Sequence, residues 1–77
     1  MREQIIGILE QIKGGIAYAT EEKLIDDKLL DSFDVISLIS ELADAFDVEI
    51  EIDDMLPVNF NSVDAICALV EKLQEEA

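Results

Sequence analysis

From Val35 to Phe46 the apolar residues of this 77-residue chain return every three or four positions. That spacing fits one face of an α-helix and no strand. A helix with one apolar face cannot stay folded alone; it needs other apolar faces to cover it. Val35, Ile36, Leu38, Ile39, Leu42, Ala43, Ala45 and Phe46 supply the pattern, with Ile36, Ile39, Ala43 and Phe46 as its central stripe. Asp34, Ser37, Glu41 and Asp44 make the polar face.

Two further segments offer matching faces. Arg2 to about Lys13 places Ile5, Ile8, Leu9 and Ile12 on one stripe. Gly14-Gly15 closes it, because glycine takes the positive φ beyond a helix end at little cost. Gly7 costs that helix about 1 kcal/mol against alanine and is expected to allow a close helix contact. Near the C-terminus, Val63, Ile66, Cys67, Val70 and Leu73 form the third stripe. Asn61 or Ser62 caps this helix, with Asp64 complementing its N-terminus. Glu75-Glu76-Ala77 is expected to fray.

The connections differ in kind. Ile16 to Asp31 is too long for a turn, and Leu24, Ile25, Leu29 and Leu30 should pin it to the core. It need not leave the first two helices as neighbours. Glu49-Ile50-Glu51-Ile52 alternates like a strand but has no strand to pair with. It reads as an extended linker whose isoleucines plug the core. Pro57 permits at most a short helical turn before the last helix. The expected fold is all-α: a small bundle of three main helices plus one short helix or turn, with a long first loop. At this length it is one domain, residues 1–77.

Nineteen acids face five bases, for a net charge of −14, and there is no histidine. Nucleic-acid binding needs Lys and Arg to neutralise phosphates, so it is excluded from the expectation. Anionic membrane surfaces are disfavoured for the same reason. The charge favours encounter with basic protein surfaces. One cysteine allows no internal disulfide, and no run is long enough to span a membrane, so a cytoplasmic monomer is expected. Cys67 lies on an apolar stripe with no base beside it and reads as core filler. Asp26, Asp27, Asp31 and Asp34 lack the glycine and terminal glutamate of a helix-loop-helix calcium site. No metal site is expected.

Ser32 is the one chemical handle. It stands in Asp31-Ser32-Phe33-Asp34, where the long loop meets the second helix. A serine there reads first as an N-cap. A nucleophile without a base is a poor catalyst, so no catalytic residue is assigned. Leu29, Leu30 and Phe33 flank it with apolar groups that a cap does not need. A phosphodiester on Ser32 would be favoured by the helix dipole but opposed by Asp31 and Asp34. Those acids are therefore read as contacts for a basic partner.

Asp31-Ser32-Phe33, with Asp34, Leu38, Leu42, Phe46-Asp47, Glu49-Ile50, Ser62-Val63 and Ile66, resembles the acyl carrier protein superfamily of acyl, peptidyl and D-alanyl carriers. The resemblance covers the whole chain. It implies 4′-phosphopantetheine attached covalently to Ser32, transferred from coenzyme A by a phosphopantetheinyl transferase with magnesium. The arm's thiol would hold cargo as a thioester for partner enzymes: an activating ligase and acyl-transferring enzymes with basic docking surfaces. Asp31, Phe33, Asp34, Ser37 and Glu41 would form the docking surface of a free-standing, non-enzymatic carrier. Leu29-Leu30-Asp31-Ser32 is closer to D-alanyl and peptidyl carriers. The acidic stretch from Asp44 to Asp54 is closer to fatty-acid carriers, although Ser37 stands where those often have an acid. The cargo stays open. The alternative is an acidic helical interaction module without a prosthetic group.

Overall fold

Why the chain turns where it does is written mostly in its helix ends. A computed structural model describes residues 1–76 and shows α1 (Arg2–Ile12), α2 (Ser32–Phe46), a 3-10 turn (Ile52–Asp54), α3 (Pro57–Phe60) and α4 (Val63–Glu76). The all-α expectation is borne out, with no strand among the described residues. The segment before α4 holds both a 3-10 turn and a short helix. Pro57 occupies the first turn of α3, where its missing N–H costs nothing. No described helix is long and apolar enough to cross a membrane.

α1 packs against α2 and α4, α2 also meets α4, and α3 lies on α4. The long loop therefore does not separate α1 from α2. Ile5 and Leu9 from α1, Leu38 and Leu42 from α2, and Val63, Ile66, Leu69 and Val70 from α4 fill the core. Phe60 closes it from α3, and Tyr18, Leu24 and Leu30 close it from the loop. The loop is thus pinned as expected, with Ile25 and Leu29 partly buried beside it.

The buried stripe of α2 is not the expected one. Leu38 and Leu42 are fully buried, Val35, Ile39 and Phe46 pack around them, and Ile36 is 58 % exposed. Leu69 joins the α4 stripe, while Cys67 and Leu73 are only partly covered. Burial pushes the Cys67 thiol above its ordinary 9.0, and Asp64 adds to the rise, so the thiol stays protonated at neutral pH. Of the two isoleucines in the linker, Ile50 packs on the core but Ile52 is 86 % exposed. The 3-10 turn begins at Ile52 and breaks the alternation that would have carried it inward.

α1 ends at Ile12, and Gly15 takes the left-handed conformation beyond it, at φ 85°. Tyr18 completes that end: its buried hydroxyl donates to the Leu9 carbonyl (3.3 Å) and to the Lys13 carbonyl. The Leu9 carbonyl already accepts the Lys13 N–H at 2.8 Å, so Tyr18 adds a second donor there and supplies one to the Lys13 carbonyl beyond the helix end. Gly7 makes no close helix contact; it faces solvent, and a Cβ there would meet nothing within 4 Å. Ser62 is the cap of α4, accepting the Ala65 N–H at 3.0 Å. α4 stays helical through Glu76, against the expected fraying, and Ala77 lies outside the described residues.

Candidate functional site

Two carboxylates organise the start of α2. Asp31 is its N-cap: Asp31 Oδ1 accepts the Asp34 N–H at 2.9 Å, and Asp34 Oδ2 accepts the Asp31 N–H at 3.2 Å. This reciprocal pair satisfies donors that a helix start leaves orphaned. Ser32 is therefore not the cap but the first helical residue, a correction to the sequence reading. Its side chain is exposed, and no described group takes a hydrogen bond from its hydroxyl. The capping duty that would have occupied Ser32 Oγ belongs to its neighbours.

Asp31 and Asp34 thus have a structural task that the sequence reading gave only to a partner. Asp34 is half-buried, and its carboxylate also lies 4.0 Å from Lys13 Nζ. Asp31, Phe33, Ser37 and Glu41 are exposed, Phe33 by 81 %. Phe33, Ser37 and Glu41 follow one another at intervals of four along α2, so they share a face. Ile36, displaced from the expected core, extends that face with apolar surface.

Beside Ser32 lies a shallow, mainly apolar depression of about 240 Å³, lined by Ile25, Leu30, Asp31, Ser32, Val35, Ile36 and Met55. Ile25, Ile36 and Met55 were not foreseen as site residues. Nothing local marks them, because three separate elements bring them to the serine. A larger surface depression, about 660 Å³, is a different place: Asp47, Glu49, Glu51, Asp53, Asp54 and Glu76 line it with Val48 and Leu73. It shares no residue with the surroundings of Ser32 and holds no nucleophile.

A free hydroxyl stands at the positive end of a helix, beside an apolar floor, in a chain with no histidine to activate it. Such a hydroxyl can take a covalently attached group without displacing a structural hydrogen bond. A family model described as a phosphopantetheine attachment site matches residues 29–70, more than half of the chain and including Ser32. The chain belongs to this phosphopantetheine-binding family of carrier proteins.

Its relatives agree. It is 32 % identical to a D-alanyl carrier protein of Lactococcus lactis subsp. lactis over 99 % of both chains. The corresponding protein of Lactococcus lactis subsp. cremoris is 33 % identical over the same share. An acyl carrier protein of Streptococcus pyogenes is 38 % identical over 84 % of this chain and 82 % of its own. Such proteins are non-catalytic carriers that work with modifying and ligase enzymes, and the domain is the site of covalent 4′-phosphopantetheine attachment.

The residues present fit that group. The exposed hydroxyl would offer an attachment atom, and the helix N-terminus would favour the phosphodiester's charge. Ile25, Leu30, Val35, Ile36 and Met55 would flank the arm with apolar surface. The charges of Asp31 and Asp34 oppose the phosphate. Both are tied into the capping pair, which accounts for their presence without it.

Proposed function

We propose that residues 1–77 form a carrier domain whose Ser32 bears the 4′-phosphopantetheine arm. The observation that carries this is the unpartnered, exposed hydroxyl of Ser32, set in the first turn of α2 while Asp31 does the capping. When attached, the arm supplies a thiol that holds an acyl or aminoacyl group as a thioester. The chain's own residues hold the attachment point still, cover its base with apolar surface, and offer a face to partners. Asp31, Phe33, Asp34, Ser37 and Glu41, extended by Ile36, make that face. Its acids suit basic partner surfaces and its apolar groups supply contact area. The partners are a phosphopantetheinyl transferase, a cargo-activating ligase and the enzymes that receive the cargo, met by a monomer in the cytoplasm.

D-alanine is the cargo to test first, because the D-alanyl carriers match across 99 % of both chains. Phosphopantetheinylated protein, given a D-alanine-activating ligase and ATP, should gain a D-alanyl mass that hydroxylamine removes. Ser32→Ala should gain none. A fatty acyl mass, added by an acyl-activating ligase in place of D-alanine, would move the cargo to the acyl class. Equal labelling of Ser32→Ala would overturn the attachment itself.

A further inference from the structure

Asn61 stands between α3 and α4, remote in sequence from Ser32, yet it grips the loop that delivers that serine. Its side-chain Oδ1 accepts the Ile25 N–H at 2.9 Å and the Asp26 N–H at 3.0 Å. Its Nδ2 donates to Asp26 Oδ2 at 3.2 Å, and its backbone carbonyl accepts the Leu24 N–H at 2.9 Å. One residue therefore holds three consecutive loop residues. The hold is passed on. The Leu24 carbonyl accepts the N–H groups of Leu29 (2.9 Å) and Leu30 (3.1 Å), and Lys28 adopts φ 58° to let the chain fold back. Leu30 is buried and directly precedes Asp31, the cap of α2. At the other end Asn61 is itself fixed, between buried Phe60 and the α4 cap Ser62.

Ile25 and Leu30, both set by this turn, also line the depression beside Ser32. We propose that Asn61 is a positioning residue: its clamp on Leu24–Asp26 fixes the Ser32 hydroxyl and the Ile25–Leu30 wall in the geometry that the modifying enzyme receives. This rests on the reading of Ser32 as the attachment point. The docking face of α2 does not include the clamp, so losing it should disturb the reacting atom more than the encounter.

The test is steady-state kinetics of one phosphopantetheinyl transferase with coenzyme A, varying the carrier concentration. Asn61→Ala is expected to lower kcat about tenfold, as small misplacements of reacting groups do, with KM changed less than about twofold. Partial unfolding would leave the opposite signature, a raised apparent KM at unchanged kcat, because only the amount of competent carrier falls. Asn61→Asp alone keeps the acceptor but sets a carboxylate against that of Asp26, and should also lower kcat. Adding Asp26→Asn reverses the donor and acceptor and should restore kcat. This cycle carries the test should Asn61→Ala not fold. Wild-type kcat in Asn61→Ala, or a double variant as slow as Asn61→Asp, would overturn the clamp alone. A wild-type chain that no transferase loads would remove the reading of Ser32 and the clamp proposal with it.

Discussion

Asp31 and Asp34 exchange hydrogen bonds with each other's backbone, and that exchange frees Ser32. The two kinds of residue should then separate cleanly on mutation. Ser32→Ala is predicted to abolish arm attachment while changing stability by less than about 0.5 kcal/mol, as exposed substitutions usually do. Asp31→Ala should cost about 0.5–2 kcal/mol, the range for a lost cap. Urea denaturation of both variants checks this, and a larger loss in Ser32→Ala would return the cap to the serine. Tyr18 is the other residue with a hidden task. Burial raises its pKa above the ordinary 10.0, with Asp34 and Glu10 adding to the rise. Its hydroxyl donates only while protonated, so its contribution is complete below pH 10 and is lost as pH rises through the raised value. Tyr18→Phe should cost about 0.5–1.5 kcal/mol at neutral pH. The gap to wild type, followed by denaturation at increasing pH, should narrow above pH 10.

At the scale of elements, helix existence was legible because burial of a face forces a period of three and four. Helix phase was less so. α2 carries apolar residues at 35, 36, 38, 39, 42, 43, 45 and 46, enough for two overlapping stripes. Packing against α1 and α4 selects Leu38 and Leu42 and leaves Ile36 outside, where it joins the candidate docking face. The cap of α4 was narrowed to Asn61 or Ser62, but propensity alone does not separate them. Ser62 caps, and Asn61 is left for a contact with residues 24–26 that no local pattern encodes. The candidate serine was singled out by its motif, whereas the apolar floor beside it needs three elements placed together. Gly7 gives a direct check on the helices. With no neighbour for a Cβ to strike, Gly7→Ala should stabilise the protein by about 1 kcal/mol, the difference in helix propensity. Thermal or urea unfolding would read it, and destabilisation would mean that the glycine meets something.

The whole molecule carries −14 on a radius of gyration of 11.2 Å. Only two ion pairs form among the described residues, Arg2–Asp64 and Lys13–Asp34, so most of the acids remain available to the surrounding field. At about 0.15 M salt that field is screened within ~8 Å, well short of the molecule's 33 × 23 × 20 Å extents. Encounter with basic enzymes should therefore depend on salt. kcat/KM for phosphopantetheinylation is predicted to fall as NaCl rises, and Glu41→Lys should both lower it and flatten the dependence. A salt-independent rate would argue that the acids serve the chain alone. The central claim is narrower and concerns a single atom. The chain has four serines, Ser32, Ser37, Ser40 and Ser62, and only Ser32 is proposed to bear the arm. The decisive measurement is fragment-resolved mass spectrometry of the protein coexpressed with a phosphopantetheinyl transferase. One phosphopantetheine mass, localised to Ser32, is the predicted result. An intact mass that never shifts with several transferases, or an arm localised to another serine, would contradict it.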